Sequence, residues 1–241
     1  MDRLVKLGAS PDCISKDIFW SRVGHSGGNA DARVTLPAGD TSVTLPEHAA
    51  CSLLIAHLGY RQKHGWPAAI AVVLAGISPD LDVITKLISE PLFWKLHHAA
   101  GHSLMAIVLL AGLTSGAVSA LYRVPFRPLF EWCLLAAFVH DLTDIPYFWG
   151  VKFLWPFNEW EPCLNAIQYL DLFVLALWTV GLLMLRRYPD SASTTAAVTL
   201  ILFVAYAGIR WLLPQPTGWL DLITGGWVYA APPQTPVLDW W

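Results

Sequence analysis

Histidines and aspartates gather in four short groups that lie far apart along this chain. The groups are PEH, SPDLD, HHAAGHS and HDLTD, and they contain these candidate metal ligands: His48, Asp80, Asp82, His97, His98, His102, His140 and Asp144. Imidazole and carboxylate donors suit a divalent ion, with zinc as the first choice and manganese or iron as alternatives. The four cysteines form no C-x-x-C pair, so neither a thiolate zinc site nor a disulfide framework is expected.

The spacing in the HDLTD group places three polar side chains together near the end of a predicted helix. His140 and Asp144 are four residues apart and Asp141 is three residues before Asp144, so all three side chains can share one helical face. We expect Asp141 to act as a general base or as a hydrogen-bond partner of a ligand. Asp144 is expected to serve both as a ligand and as a catalytic group.

The other groups allow competing interpretations. Pro79 predicts a helix break, after which a turn can point Asp80 and Asp82 at one place. Either aspartate could instead cap a short helix over 83–89. Ser103 is expected to form a hydrogen bond at the start of a helix, or to support a ligand from behind, rather than to act as a nucleophile.

These groups must be positioned by apolar segments. Six such segments cover residues 48–59, 66–79, 102–121, 129–149, 167–185 and 193–213. They predict an all-α integral membrane bundle of about four to six transmembrane or membrane-embedded helices, although the first two fall short of the ~20 residues of a comfortable span. If successive helices alternate in direction, all four polar groups lie at helix ends on the same side of the membrane. That convergence predicts a single metal centre.

Composition supports a membrane protein. Of the 241 residues, 55% are hydrophobic and only 14% are charged, with a mean hydropathy of +0.49. Soluble domains have about 25% charged residues, so a soluble enzyme is disfavoured. The net charge of −3 offers no electrostatic basis for binding nucleic acid. We expect a flexible polar tail over 1–45, a membrane-embedded domain with the metal site over 46–213, and an interfacial Trp- and Pro-rich tail over 214–241.

The distribution of cations predicts an orientation. Loops on the side away from the polar groups hold Arg61, Lys63, Arg123, Arg127, Arg186 and Arg187. Loops on the side of the polar groups hold Lys86, Lys95 and Lys152. The positive-inside rule therefore places the metal site on the extracytoplasmic side of the cell (inner) membrane, although five cations in the N-terminal tail oppose this assignment.

The order of the motifs resembles that of a known family. His48 near the start is followed by Asp80 and Asp82 in SPDLD, and then by HHAAGHS with His97, His102 and Ser103. HDLTD with His140 and Asp144 comes next, and GVKFLWPF with Gly150, Pro156 and Phe157 follows it. Over roughly 46–158 this order is similar to that of the YdjM-like membrane-bound metal-dependent hydrolases, described as LexA-binding, inner-membrane-associated hydrolases. His98 stands where that family usually has Arg, and it could add a ligand.

The resemblance implies a metal-dependent hydrolase. Activated water would attack an ester or phosphoester, with a small molecule or a lipid as the substrate and the lipid bilayer as the surroundings. Two alternatives remain open at this point. Intramembrane Asp and His residues also form ion or proton pathways, and a metal can hold helices together without catalysis.

Overall fold

The computed structural model describes residues 44–89, 92–93, 96–147, 150–164, 166–167 and 171–212. The predicted C-terminal tail, 214–241, lies outside the described residues, as does the predicted N-terminal tail up to residue 43. The first described helix begins at Thr44, two residues before the boundary that the sequence analysis expects.

The described residues form helices and loops, and no strand occurs among them. The α-helices are α1 (Thr44–Ala56), α2 (Tyr60–Ile77), α3 (Leu104–Tyr122), α4 (Phe126–Asp144), α5 (Leu172–Arg187) and α6 (Ala192–Leu212). Two 3-10 helices cover Pro79–Leu87 and Pro189–Ser191. The prediction of an all-α bundle is therefore confirmed.

Fewer helices are clear membrane spans than the six apolar segments suggested. Among the described residues, α3 and the segment Pro189–Leu212 are long and apolar enough to cross a membrane. A third candidate is α2 together with the first 3-10 helix, which are bent by 60° at the break. Helix α5 has only 16 residues and α4 carries charged residues at both ends, which is why neither matches a simple span. That the other helices, α1, α4 and α5, also cross the membrane remains a prediction.

The break at Pro79 occurs where the sequence predicts it. Helix α2 ends at Ile77, and the 3-10 helix begins at Pro79 with Ser78 before it. Asp80 and Asp82 lie in the first turn of this 3-10 helix. The sequence also allows either aspartate to cap a short helix over 83–89. The 3-10 helix begins four residues earlier, so both aspartates lie inside it and neither caps it.

Small residues let the helices that carry the polar groups approach closely. Helix α2 packs against α1, α3 and α4, while α5 and α6 pair with each other and contact α1. A Cβ atom on Gly76 of α2 would lie 1.9 Å from Ser52 Oγ of α1 and 3.4 Å from Ala136 Cβ of α4. A larger residue at position 76 would clash with Ser52, so glycine is needed there. Its small size lets the helix backbones approach closely. This contact brings the ends of α1, α2 and α4 to one place.

The cysteines agree only in part with expectation. Cys51 and Cys133 are free and buried. Cys163 is disulfide-bonded, which the wide spacing of the cysteines did not predict. None of these three belongs to the groups of potential metal ligands found among the described residues.

Candidate metal centre

Four separate elements deliver side chains to one buried cluster at an end of the bundle. His48 comes from the first turns of α1, Asp80 from the 3-10 helix, and His102 from the residue before the N-cap of α3. The last turns of α4 supply three more residues: His140, Asp141 and Asp144. Every one of these side chains belongs to a residue that is no more than 5% exposed. The sequence groups therefore meet in space, as alternation of the helices predicts.

Two carboxylates face the same three imidazoles. Oδ1 of Asp144 lies 3.2 Å from Nε2 of His48, and Oδ2 of Asp144 lies 3.6 Å from Nε2 of His102 and 3.5 Å from Nε2 of His140. Asp80 makes the corresponding approaches at 3.8 Å to His48 and at 3.5 Å to both His102 and His140. Nitrogen and oxygen atoms thus converge on one small volume.

His140 is held with its Nε2 atom directed at the two carboxylates. Its Nδ1 atom lies 2.6 Å from the carbonyl oxygen of Gly76, which can only accept a hydrogen bond. Nδ1 therefore carries the proton, and in the neutral ring Nε2 has a free lone pair. This is the usual arrangement of a metal-binding histidine, in which the second nitrogen donates to a backbone or carboxylate oxygen.

His48 is oriented in the same way through Thr143. The Thr143 hydroxyl donates to the carbonyl oxygen of His140 at 2.7 Å, so it accepts a hydrogen bond from His48 Nδ1 at 3.2 Å. The Nε2 atom of neutral His48 is then free to bind a cation. Sequence reasoning missed Thr143, because a lone threonine between two candidate ligands carries no signal of its own. The only hint was its spacing of three residues from His140.

Several carboxylate oxygens of the cluster have no hydrogen-bond partner among the described residues. Asp80 Oδ2 and both oxygens of Asp141 and of Asp144 are buried and accept no well-formed hydrogen bond from any described residue. Buried polar groups are nearly always satisfied, so such oxygens indicate a missing ligand such as an ion. The donor set of imidazole nitrogens and carboxylate oxygens fits a divalent cation.

Three overlapping sets of ligand atoms could hold an ion. They are His48 with Asp80 and His140, His98 with His102 and Asp144, and His102 with His140 and Asp141. Within each set the ligand atoms lie no more than 4.8 Å apart. Because the sets share His102 and His140, they form one cluster that could hold a metal ion.

His98 joins the cluster through an unusual backbone conformation. Its φ of 60° is in the left-handed region, and its Nδ1 atom lies 3.9 Å from Asp144 Oδ2. Burial, together with the neighbouring His97 and His102, holds the pKa of His98 well below its usual range. The neutral form that results is the one that binds metals.

Asp82 and His97 pair with each other beside this cluster. His97 Nδ1 lies 3.0 Å from one oxygen of Asp82 and 3.2 Å from the other. Neither residue belongs to the sets described above, although the His97 ring lies against His98 with a centroid separation of 4.0 Å. Their assignment as metal ligands remains a prediction.

Ser103 acts at the start of a helix, which is one of the two roles expected for it. Its hydroxyl accepts from the backbone N–H of Ala106 at 3.2 Å and donates to the carbonyl oxygen of Ala100. It is the N-cap of α3, and it thereby fixes the backbone immediately after His102. Gly101 completes this positioning, because a Cβ atom there would lie 2.4 Å from the carbonyl oxygen of Pro79.

A second buried contact ties α1 to the chain after α4. The Tyr147 hydroxyl donates to Glu47 Oε2 at 2.8 Å, and both residues are buried. Glu47 immediately precedes His48, so this hydrogen bond fixes the start of α1 next to the end of α4. Sequence reasoning did not identify Tyr147.

Comparison with known proteins agrees with a membrane location. A family model described as "YdjM inner membrane protein" matches residues 43–216. A curated relative from Bacillus subtilis (strain 168), described as "Uncharacterized protein YfhP", is 26% identical over 120 residues. That alignment covers 46% of this chain and 37% of the relative, so the similarity spans well under half of the relative's length. No solved structure matches the chain.

Proposed function

This chain belongs to the YdjM inner membrane protein family, and we propose that it is a membrane-bound metal-dependent hydrolase of an ester or phosphoester. The observation that carries the proposal is the buried cluster of imidazoles around Asp80 and Asp144, in which Asp80 Oδ2 and both oxygens of Asp144 lack hydrogen-bond partners among the described residues. Intramembrane ionisable groups are costly, and they mark functional sites by default.

The proposed ligands are six of the seven residues whose ligand atoms converge, and Asp141 is the seventh: His48, Asp80, His98, His102, His140 and Asp144. Zinc is the ion we favour, because this donor set combines histidine nitrogens with carboxylate oxygens. A bound divalent ion supplies Lewis acidity and lowers the pKa of water toward neutrality. The chain's own contribution is to fix the orientation and the protonated Nδ1 atom of His140 and His48, through the Gly76 carbonyl and the Thr143 hydroxyl.

Asp141 is the proposed general base. It is fully buried, both of its oxygens lack hydrogen-bond partners among the described residues, and one of them lies within 4.8 Å of ligand atoms of His102 and His140. A carboxylate in that position can take a proton from water beside the ligands. Asp144, which approaches His48, His102 and His140 at once, is proposed as the ligand that orients the centre.

We propose that the chain crosses the inner membrane several times, with the metal centre on the extracytoplasmic side. The excess of Lys and Arg in the loops away from the cluster supports this orientation.

Elemental analysis of the detergent-purified full chain tests the metal centre. We expect one or more zinc, manganese or iron ions per chain, and we expect the variants Asp80→Ala and His140→Ala to lose them. His64→Ala is the matched control, because His64 lies outside the sets of ligand atoms. Wild-type protein that binds no metal even after reconstitution would overturn the proposal.

Hydrolysis is tested next with chromogenic substrates. We expect the metal-loaded wild type to cleave 4-nitrophenyl esters or 4-nitrophenyl phosphodiesters, and Asp141→Asn to lose activity while it keeps its metal. Metal binding without hydrolysis of either class would indicate that the ion only holds the helices together.

A further inference from the structure

An apolar groove of about 410 Å³ lies between α2 with its following 3-10 helix on one side and α3 on the other. Leu74, Ile77 and Leu81 line one wall, and Leu110, Leu113 and Ala117 line the other. We propose that this groove holds the acyl chain of a membrane lipid whose polar end is the substrate of the metal centre. The proposal rests on the proposed function and names the substrate class of that site.

The groove faces the bilayer. Helix α3 is one of the candidate membrane spans, and its Leu113 is 62% exposed. On the opposite wall Leu74 is 46% exposed and Leu81 is 55% exposed. Leucine side chains that are exposed along a membrane-spanning helix lie in hydrocarbon, so the material available to fill the groove is lipid chain.

One end of the groove and the metal centre share a structural element. Leu81 lines the groove, and the preceding residue of the same 3-10 helix, Asp80, belongs to the cluster. On the other wall, the first lining residue of α3, Leu110, lies about 9 Å along the helix from its start at Leu104, two residues after His102. The groove continues along α3 to Ala117 and beyond, away from the cluster. A lipid with its polar end at Asp80 would extend its chain in this direction.

The lining favours an acyl chain over another helix. Interfaces between membrane helices are rich in small residues that let the backbones approach. Here three of the exposed lining residues are the large leucines Leu74, Leu81 and Leu113, and the small residues Ser78, Thr114 and Ala117 lie among them. The volume lies within the range of about 300–1,000 Å³ that is typical of small-molecule sites. A flexible row of methylene groups can fill such a groove without any polar partner.

Substitution at two alanines of α3 separates groove binding from ordinary contact with lipid. Ala117 lines the groove and Ala120 does not, although both are exposed and lie in the same helix. We expect Ala117→Phe to block the groove and Ala120→Phe to leave it open. Unchanged metal content and an unchanged elution volume on size exclusion establish that both variants are folded.

The activity test compares probes that differ only in chain length. They are methyl and hexadecyl 4-nitrophenyl phosphate and, for the ester class, 4-nitrophenyl butyrate and palmitate. We expect the metal-loaded wild type to prefer the long-chain probe, and Ala117→Phe to lower kcat/KM for that probe about tenfold, the effect of displacing roughly two methylene groups. Its activity on the short-chain probe should remain unchanged. Ala120→Phe should behave as wild type on both probes.

Photolabelling gives a readout that does not depend on hydrolysis. The probe is a phospholipid with a diazirine near the end of one acyl chain, reconstituted with the full chain in phosphatidylcholine vesicles. We expect more labelling of Leu104–Tyr122 than of the other candidate span, Pro189–Leu212, and we expect Ala117→Phe but not Ala120→Phe to remove the excess.

The outcomes separate the two proposals. Hydrolysis of the short-chain probe with no chain-length preference, together with equal labelling of the two segments, overturns the lipid groove and leaves the hydrolase standing. Failure of the metal-loaded wild type to hydrolyse any probe overturns the proposed function and the substrate role of the groove with it. A preference for long chains that Ala117→Phe abolishes supports both.

Discussion

Helix α4 carries two pairs of a basic and an acidic residue at the same four-residue spacing, one pair exposed near its start and one pair buried near its end. Near its start, Arg127 Nε lies 3.3 Å from Glu131 Oε1, and the two side chains are 90% and 62% exposed. Near its end, His140 Nε2 lies 3.5 Å from Asp144 Oδ2, and the two side chains are 0% and 1% exposed. Spacing determines which side chains share a face, whereas burial determines what the pair can do.

The energetic consequence differs in kind. An exposed ion pair on a helix contributes less than about 1 kcal/mol to stability, because water and salt screen it. A buried ionised group costs several kcal/mol to desolvate, and only good partners offset that cost. Asp144 approaches three imidazoles, yet neither of its oxygens accepts a well-formed hydrogen bond from the described residues. A cation is the partner that would resolve this.

The largest effect is expected from removal of the buried charge. Asp144→Asn keeps the shape of the side chain but removes the carboxylate that approaches His48, His102 and His140. We expect metal affinity to fall by at least about a hundredfold, more than for loss of a supporting group, and hydrolysis to be lost. Metal titration of the purified variant measures this. An unchanged metal content would show that Asp144 is not a ligand.

Metal removal should destabilise the same end of the bundle. A ligand present at a thousand times its dissociation constant stabilises the folded state by about 4.1 kcal/mol. Chelation should therefore lower the thermal unfolding midpoint by several degrees, and added zinc should restore it. The variant Asp144→Asn provides the control, since its midpoint should respond little to chelator. A wild-type midpoint that chelator does not change would argue against a bound ion.

A smaller effect is expected at Thr143, which supports a ligand without being one. Thr143→Val keeps the shape but removes the hydroxyl that orients His48. Loss of such a supporting hydrogen bond typically weakens metal binding by about 10- to 100-fold. Competition with a chelator of known affinity measures the change. Thr143→Ser, which retains the hydroxyl, should recover most of the affinity, and failure to do so would indicate a packing role.

The smallest effect is expected at the exposed pair. Arg127→Ala should change the free energy of unfolding by less than about 1 kcal/mol. Metal content and hydrolysis should be the same as in wild type, because the pair lies at the opposite end of α4 from the cluster. A marked loss of metal in this variant would contradict the separation of the two ends.

Much of the site could be predicted from residue types and order. The four polar groups, the shared face of His140 and Asp144 and the break at Pro79 all follow from local rules, because spacing of three or four residues and the geometry of proline act within one element. The all-α class follows from the apolar segments. The number of clear membrane spans could not be predicted from the apolar segments. Helix α4 is apolar in part but carries too many charged residues, and α5 is too short.

The sequence by itself determined the all-helical membrane class, the residue types of the site and their places near helix ends. Tertiary structure decided which of them meet. His140 is oriented by a carbonyl 64 residues away and Thr143 contacts His48 across 95 residues, and Asp82 pairs with His97 beside the cluster. Such contacts depend on how closely whole helices pack, as at Gly76, and no local pattern encodes that distance.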